Sequence, residues 1–264
     1  THDNPASHRL ELAVLKAMAG RWPGRVALGM EMFTPAQQPA LDRWVAGECT
    51  EKEFLKESRW YDRWKMDFDY YRDLLLYARE QRIPVVGLNA EKSLVRAVTR
   101  SELTALDEAE RAQLPEMDLS DPYQRSLVKA IFGGHDGGSS QLDGFLRAQT
   151  LWDETMAQNV AAHLAAPGSE ERRMVVVAGG NHIRNGFGIP RRVFRRLPAS
   201  YVLLSTKELE IAPDMQDRLM DVNIPDYPMP AYDFVAFTAY EKIEKDEVRL
   251  GVLLEEADGV VKVK

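Results

Sequence analysis

Three short apolar runs, separated by stretches of helical periodicity, constrain the fold of this 264-residue chain more than any other feature. They occupy residues 25–30 (RVALGM), 84–88 (PVVGL) and 173–178 (RMVVVA). Each has the length and continuous apolar character of a strand that is buried on both faces of a sheet. Strands that alternate with helices form right-handed βαβ units. We therefore predict an α/β fold with a mainly parallel central sheet flanked by helices.

Helix signals fill the intervals between these runs. Asn4 followed by Pro5 is typical of a helix N-terminus, with the asparagine as N-cap. Residues 91–165 have a helical pattern almost throughout, which predicts a smaller helical subdomain over one end of the sheet. Further strands are predicted at residues 201–204 and 234–237.

Composition and charge exclude several classes of protein. The chain is 45% hydrophobic and 28% charged, as is ordinary for a globular protein. Its net charge of −7 gives no overall positive field for nucleic acid, and the basic run at 191–196 is either a local patch or a solvated helix face. The single cysteine, Cys49, allows neither an intrachain disulfide nor a cysteine-based zinc site. No apolar run approaches the roughly 18 residues that a transmembrane helix requires.

Polar side chains follow the three predicted strands. Glu31 comes directly after the first strand, Asn89 after the second, and His182 shortly after the third. Ligands of open α/β sheets bind outside the carboxyl ends of the strands, so these side chains are predicted to meet. His2 is a fourth candidate, on the expectation that a strand precedes Thr1. We expect one site built from these residues.

The turn Gly179-Gly180-Asn181-His182 allows the backbone to bend sharply at the strand end. His182 is then placed either to bind a metal, a haem propionate or a reacting group, or only to hydrogen-bond within the turn. Glu31, between two methionines, requires a partner, either within a site or in a structural ion pair. His2 and His8 are six residues apart, which is not the spacing of a helical zinc site.

Residues 60–72 are unusually aromatic. Trp60, Trp64, Phe68 and Tyr71 have the spacing of one helix face, which favours either core packing or contact with a flat apolar ligand such as a porphyrin. A tyrosine phenolate is a known ligand of ferric haem iron, whereas the absence of a CxxCH motif excludes covalent attachment of c-type haem. His135 lies in a glycine-rich loop that either closes over a ligand or carries the histidine incidentally.

Several separated motifs together resemble the ChaN-like haem-binding lipoproteins. They are THDNPASH (1–8), GMEMF (29–33), the helix that contains Tyr70-Tyr71-Arg72, LNA (88–90), AQTLWDETMA (148–157) and AGGNHIRNGFGIP (178–190). The resemblance extends from residue 1 to about residue 235. The first motif of this family reads Gly-Glu-x-His, so Thr1-His2 corresponds to its second half and a Gly-Glu pair is expected to precede Thr1.

The resemblance implies a bacterial cell-envelope lipoprotein, on the periplasmic side or at the outer membrane, that functions in haem or iron uptake. It implies tyrosine-ligated haem at the interface of a homodimer, with membrane attachment only through a lipid anchor. Tyr71 and Tyr70 are the candidate ligands of haem iron, and His135 is a candidate contact to a propionate or to the partner subunit.

The same resemblance relates the chain to the superfamily of erythromycin esterase, TraB and Tiki, some members of which are hydrolases. The active-site positions of that superfamily correspond here to His2, Glu31 and His182. The alternative function is therefore a metal-dependent hydrolase, either an esterase or a protease, with His2 and His182 as ligands of a divalent metal and Glu31 as the group that activates water.

The end of the chain is similar to the opening strands of a PDZ domain, at residues 250–253 and 259–263. We therefore expect one ChaN-like domain over residues 1–240, followed at 241–264 by a linker and the start of a PDZ module. The alternative is a small hairpin on the main domain.

Overall fold

A computed structural model describes residues 2–133, 139–168, 171–209, 222–243, 254–257 and 260–263. Its seven described strands are β1 Val26–Met30, β2 Val85–Gly87, β3 Arg173–Val177, β4 Leu204–Glu208, β5 Phe234–Thr238, β6 Leu254–Ala257 and β7 Val260–Val263. Its described α-helices are α1 Pro5–Arg21, α2 Gln38–Ala46, α3 Glu51–Glu57, α4 Trp60–Arg63, α5 Asp69–Glu80, α6 Lys92–Arg100, α7 Glu108–Arg111, α8 Pro122–Gly133, α9 Ser139–Ala165, α10 Gly180–Ile183 and α11 Ile189–Arg196. Short 3-10 helices span Pro35–Gln37, Leu103–Ala105 and Arg184–Gly186.

The three apolar runs form one parallel sheet in the order β2-β1-β3. Leu28 of β1 is aligned with Val85 of β2 and with Val175 of β3, so all three strands end at the same edge. Every residue of the central strand β1 is buried. The predicted α/β fold with a mainly parallel sheet and surrounding helices is confirmed.

The two later strands form a sheet of their own instead of extending the central one. β4 and β5 pair in parallel, with Leu204 aligned with Phe234. The strand predicted at 234–237 agrees with β5 to within one residue. Of the strand predicted at 201–204, only Leu204 belongs to a strand, β4. The preceding residues have no strand pairing, although the Leu203 amide donates to the Asp233 carboxylate at 2.7 Å.

Both faces of the central sheet are covered by helices, because its side chains alternate between two cores. Leu28, Met30 and Val177 pack with α1, α2 and α5 on one face. Met174 and Val176 pack with residues of α9 and α11 on the other. Sheets buried on both faces have continuous apolar strands, which explains the pattern of the three runs.

The stretch predicted as a helical subdomain contains α6, α7 and α8 and most of α9. The long helix α9 packs against α6 and α8, and also against α11 and β3, which connects this stretch to the sheet. The α-helix predicted from Asn4 is confirmed: it begins at Pro5, and the Asn4 side chain accepts a hydrogen bond from the Ala6 amide at 3.0 Å.

The aromatic stretch does not form one helix, so the predicted single helix face is wrong. α4 ends at Arg63, Lys65 adopts a left-handed conformation with φ of 68°, and α5 begins only at Asp69. A non-glycine residue at this φ interrupts a right-handed helix. Trp60 and Phe68 nevertheless lie fully buried in the same core. The rings of Trp60 and Phe68 therefore pack in the hydrophobic core.

The basic run 191–196 is a solvated helix face only in part: Arg191 and Phe194 are 52% and 54% exposed, whereas the other arginines of the run are held in ion pairs. Arg192 is 2% exposed and pairs with the fully buried Glu154 of α9 at 3.0 Å. Arg195 and Arg196 bind the same carboxylate at 2.9 and 2.7 Å. A buried carboxylate requires such partners, so this run fixes α11 to α9.

Near the end of the chain, β6 and β7 pair with each other in the antiparallel direction. The PDZ module and the domain boundaries at residue 240 stay predictions. Among the described residues, no helix is long and apolar enough to cross a lipid bilayer.

Candidate active site

Glu31 stands at the point where β1 ends and connects two strands. Its amide donates to the carbonyl of Val177 in β3 at 3.0 Å, and its carboxylate Oε2 accepts from the Gly179 amide at 2.5 Å. Its Oε1 lies 3.5 Å from His182 Nε2. The residue is 8% exposed, so these contacts supply the partners that a buried carboxylate needs.

His182 follows β3 and is held between two carboxylates. Its Nδ1 lies 2.6 Å from Asp153 Oδ1, and its Nε2 faces Glu31. Asp153 is 1% exposed and also accepts from the Gln124 amide at 2.7 Å. The amide of Gln149, one turn before Asp153 on α9, lies 3.0 Å from the same Nδ1. The His182 ring is therefore fixed on both sides.

The charge of His182 follows from these neighbours. Burial disfavours the imidazolium and by itself lowers the pKa of His182. The negative charges of Glu31 and Asp153 have the larger combined effect and raise this pKa to about 9. At neutral pH His182 is consequently a cation, with each ring nitrogen directed at a carboxylate.

The surroundings of His2 lower its pKa, whereas those of His182 raise it. It lies just before α1, with Nδ1 3.0 Å from the hydroxyl of Tyr71 and its ring edge-on to Trp64 at 5.0 Å between centroids. Burial lowers the pKa of His2, although Glu31 partly offsets the effect. His2 is therefore neutral at neutral pH, while its neighbour in space, His182, is charged.

The three predicted residues meet at Gly179. A methyl group at this glycine would lie 3.1 Å from His2 Nε2, 3.5 Å from Glu31 Oε2 and 3.5 Å from His182 Cδ2. Any larger residue here would occupy the space in which the side chains converge. Asn89, the fourth strand-end residue, donates to the Glu31 carbonyl at 2.9 Å. The structure thus places the strand-end residues in one cluster.

A cavity of about 440 Å³ opens beside this cluster. Its inner wall contains Glu31, Asn89 and His182, and two tryptophans, Trp64 and Trp152, contribute aromatic surface. The volume lies within the range usual for small-molecule sites.

Three residues of the site were not identified from the sequence as members of it. Asp153 and Gln149 lie within a motif that carries the family resemblance, and their i, i+4 spacing puts them on one face of α9. The spacing of these two residues is the sequence signal from which they could have been assigned to the site. Tyr71 was predicted as a haem ligand, but the structure shows its hydroxyl at His2 and its side chain fully buried.

The remaining candidates lie apart from the cluster. His8 binds Glu11 at 2.9 Å and the His2 carbonyl at 3.1 Å, which orients the N-terminal segment. The ring of Tyr70, half-buried on α5, is 5.6 Å from that of His8. His135 lies outside the described residues.

A divalent metal at His2 and His182 is not supported. Among the residues that the structure describes, no group of three or more His, Cys, Asp or Glu side chains has an arrangement that could hold a metal ion. The second nitrogen of each histidine already has a partner, Tyr71 for His2 and Asp153 for His182.

Comparison with known proteins identifies the family. The model of the haem-binding uptake family of the Tiki superfamily, ChaN, matches residues 1–193, and the chain belongs to this family. The resemblance seen in the sequence is thereby confirmed. No protein of curated function is significantly similar in sequence.

Two solved structures are similar in fold. The ChaN of Campylobacter jejuni, in a structure that shows cofacial haem binding, is 17% identical with a TM-score of 0.61 over 80% of each chain. A variant of the erythromycin esterase EreC in its open conformation is 13% identical with a TM-score of 0.43, over 75% of this chain and 65% of the other. The first of these similarities supports the fold.

Replacing Asp153 by Asn should lower the pKa of His182, because one of its two carboxylates loses its charge. Since this pKa is about 9 in the folded protein and 6.5 is the ordinary value, the stability that it provides is complete below pH 6.5 and lost as pH rises through 9. We expect the wild-type free energy of unfolding to fall by on the order of 3 kcal/mol across this range, and the fall to be about half as large in Asp153→Asn.

Urea denaturation between about pH 6 and pH 10 measures this difference. Asp42→Asn, at an exposed position of α2, is the matched control and should keep the wild-type profile. An unchanged pH dependence in Asp153→Asn would show that the aspartate does not set the charge of His182.

Proposed function

We propose that this protein binds haem and functions in its uptake or handling in the bacterial cell envelope. The observation that carries the proposal is the match to the haem-binding uptake family over residues 1–193. The similar fold of a ChaN that binds haem cofacially supports it. Attachment through a lipid anchor and haem held between two copies of the chain belong to the same proposal.

Of the two candidate iron ligands, Tyr70 is the better placed. Ligation requires a phenolate that reaches the iron. The hydroxyl of Tyr71 is bound at His2, and burial raises the pKa of Tyr71 well above its ordinary value of 10, which disfavours the phenolate. Tyr70, on the next position of α5, is half-buried and nearer the surface. His135 stays a proposed contact to a propionate or to the partner subunit.

Titration with haemin tests this proposal. The wild-type protein should develop a Soret band, and Tyr70→Phe should shift or abolish it because the phenolate ligand is lost. Tyr71→Phe should leave the band in place, and His135→Ala should weaken binding without shifting the band. Tyr61→Phe, at a position that is 56% exposed, is the control.

A wild-type protein without a Soret band would contradict haem binding itself. A spectrum that remains unchanged in Tyr70→Phe, or a band that is lost in Tyr71→Phe, would contradict the assignment of Tyr70 as the ligand and leave haem binding itself standing.

A second candidate function, ester hydrolysis by acid–base catalysis, is favoured by the opposite charge states of His2 and His182. Pairs of groups whose environments separate their pKa values are typical of a catalytic base and acid. The Nδ1 of neutral His2 lies at the Tyr71 hydroxyl and its Nε2 faces the cluster, so in the tautomer that carries its proton on Nδ1 the Nε2 lone pair accepts the proton of the attacking water. His182, charged and oriented by Glu31 and Asp153, donates a proton to the leaving alkoxide.

The rate of ester cleavage should therefore decrease at both the acidic and the alkaline end of the pH range. It should rise as His2 loses its proton below pH 6.5 and fall as His182 loses its proton near 9. His2→Gln and His182→Gln should each lower kcat by about 10²–10⁴-fold. His163→Gln, in α9 and outside the cavity, should retain wild-type kcat. A wild-type protein inactive on a broad ester panel would exclude this second function.

A further inference from the structure

Three basic side chains line the cavity beside Glu31 and His182. They are Arg63 at the end of α4 and Lys92 and Arg96 on α6, here called the cationic rim. Among the described residues that line it, the other charged side chains are Glu31 and the imidazolium of His182. The lining therefore carries a local excess of positive charge, although the whole chain has a net charge of −7.

The cationic rim is only partly neutralised. Arg63 donates to Glu91 Oε2 at 2.5 Å, and the Thr34 hydroxyl holds the other oxygen of that carboxylate at 2.5 Å. Lys92 donates to two backbone carbonyls, that of Arg63 and, at 3.3 Å, that of Asp62; neither contact compensates its charge. Arg96 is exposed and, within the described part of the chain, pairs with no carboxylate.

Lys92 and Arg96 also repel each other. They are one turn apart on α6 and therefore lie on the same helix face. Burial lowers the pKa of Lys92, and the neighbouring charges of Lys65, Arg63 and Arg96 lower it further. Like charges held together in this way are stabilised when an anion binds between them.

The rest of the wall suits an apolar body. Trp64 and Trp152 contribute aromatic surface, and Met32 and Val95 contribute aliphatic surface. A few polar groups at defined positions in a mostly apolar cavity are typical of a small-molecule site.

We propose that this cavity binds a small organic acid, whose carboxylate or phosphate is held by Lys92 and Arg96 and whose apolar body lies against Trp64 and Trp152. The opposite end of the ligand then reaches Glu31 and His182. The inference does not depend on haem binding through a tyrosine. Two kinds of ligand supply such an anionic group: haem, through a propionate, and a free organic acid.

Calorimetric titration with matched probes tests the charge requirement. 2-Naphthoate and 2-naphthyl phosphate should bind at least about tenfold more tightly than 2-naphthamide, which has nearly the same shape as the naphthoate and no charge. Arg96→Gln should weaken binding of the two anions by roughly tenfold and leave the amide unchanged, because one charge-assisted contact is lost. Lys92→Gln should have the same effect.

Arg100→Gln is the control, since Arg100 lies on α6 but does not line the cavity. It should bind all three probes as the wild type does. The inference would be overturned by an amide that binds as tightly as the anions, by the absence of any binding, or by an equal loss in Arg100→Gln and Arg96→Gln.

Haemin and haemin dimethyl ester, which lacks free carboxylates, identify the source of the anion. If Arg96→Gln weakens binding of haemin and not of the diester, the propionate is the anion. If it weakens only the naphthoate, the ligand is a separate organic acid. A wild-type protein that binds naphthoate through Arg96 but shows no Soret band would sustain this inference and refute haem binding.

Discussion

The buried carboxylate of Glu31 is the interaction on which the rest of the site depends. It accepts from the Gly179 amide, and the Glu31 backbone amide is bonded to β3, so the turn after β3 is fixed against the end of β1. It also faces His182. An ionised carboxylate in this position is tolerated only because an amide and an imidazolium compensate it. The same contact therefore orders the backbone and sets the charge of the histidine.

Helix α9 holds His182 from the side opposite Glu31, and it carries two adjacent carboxylates with different partners. Asp153 binds His182, while Glu154 binds the arginines of α11. Adjacent residues of a helix point about 100° apart, so one helix both orients the site and anchors the element that follows it. The histidine turn is thereby enclosed between the sheet edge and α9. His2, which is bound to Tyr71 and has no aspartate partner among the described residues, remains neutral in the same cluster.

The sheet and the position of the site were predictable from the sequence because they rest on local patterns. Continuous apolar strands separated by helices determine a parallel sheet, and the strand ends then bring Glu31, Asn89 and His182 together. The contacts of the histidines were not predictable in this way, although the i, i+4 spacing of Gln149 and Asp153 places these two side chains on one helix face. Asp153 and Tyr71 reach them through packing of distant helices, which periodicity does not report. The left-handed residue Lys65, which interrupts the aromatic stretch, has no glycine or proline to mark it.

The central claim is that His2 and His182 are held in different protonation states by their surroundings. Nitrogen-15 NMR of the imidazole rings at about pH 7.5, with His2→Gln and His182→Gln for assignment, measures this directly. We predict that both nitrogens of His182 are protonated and that His2 is neutral. A neutral His182, or a His2 with both nitrogens protonated, would contradict the account.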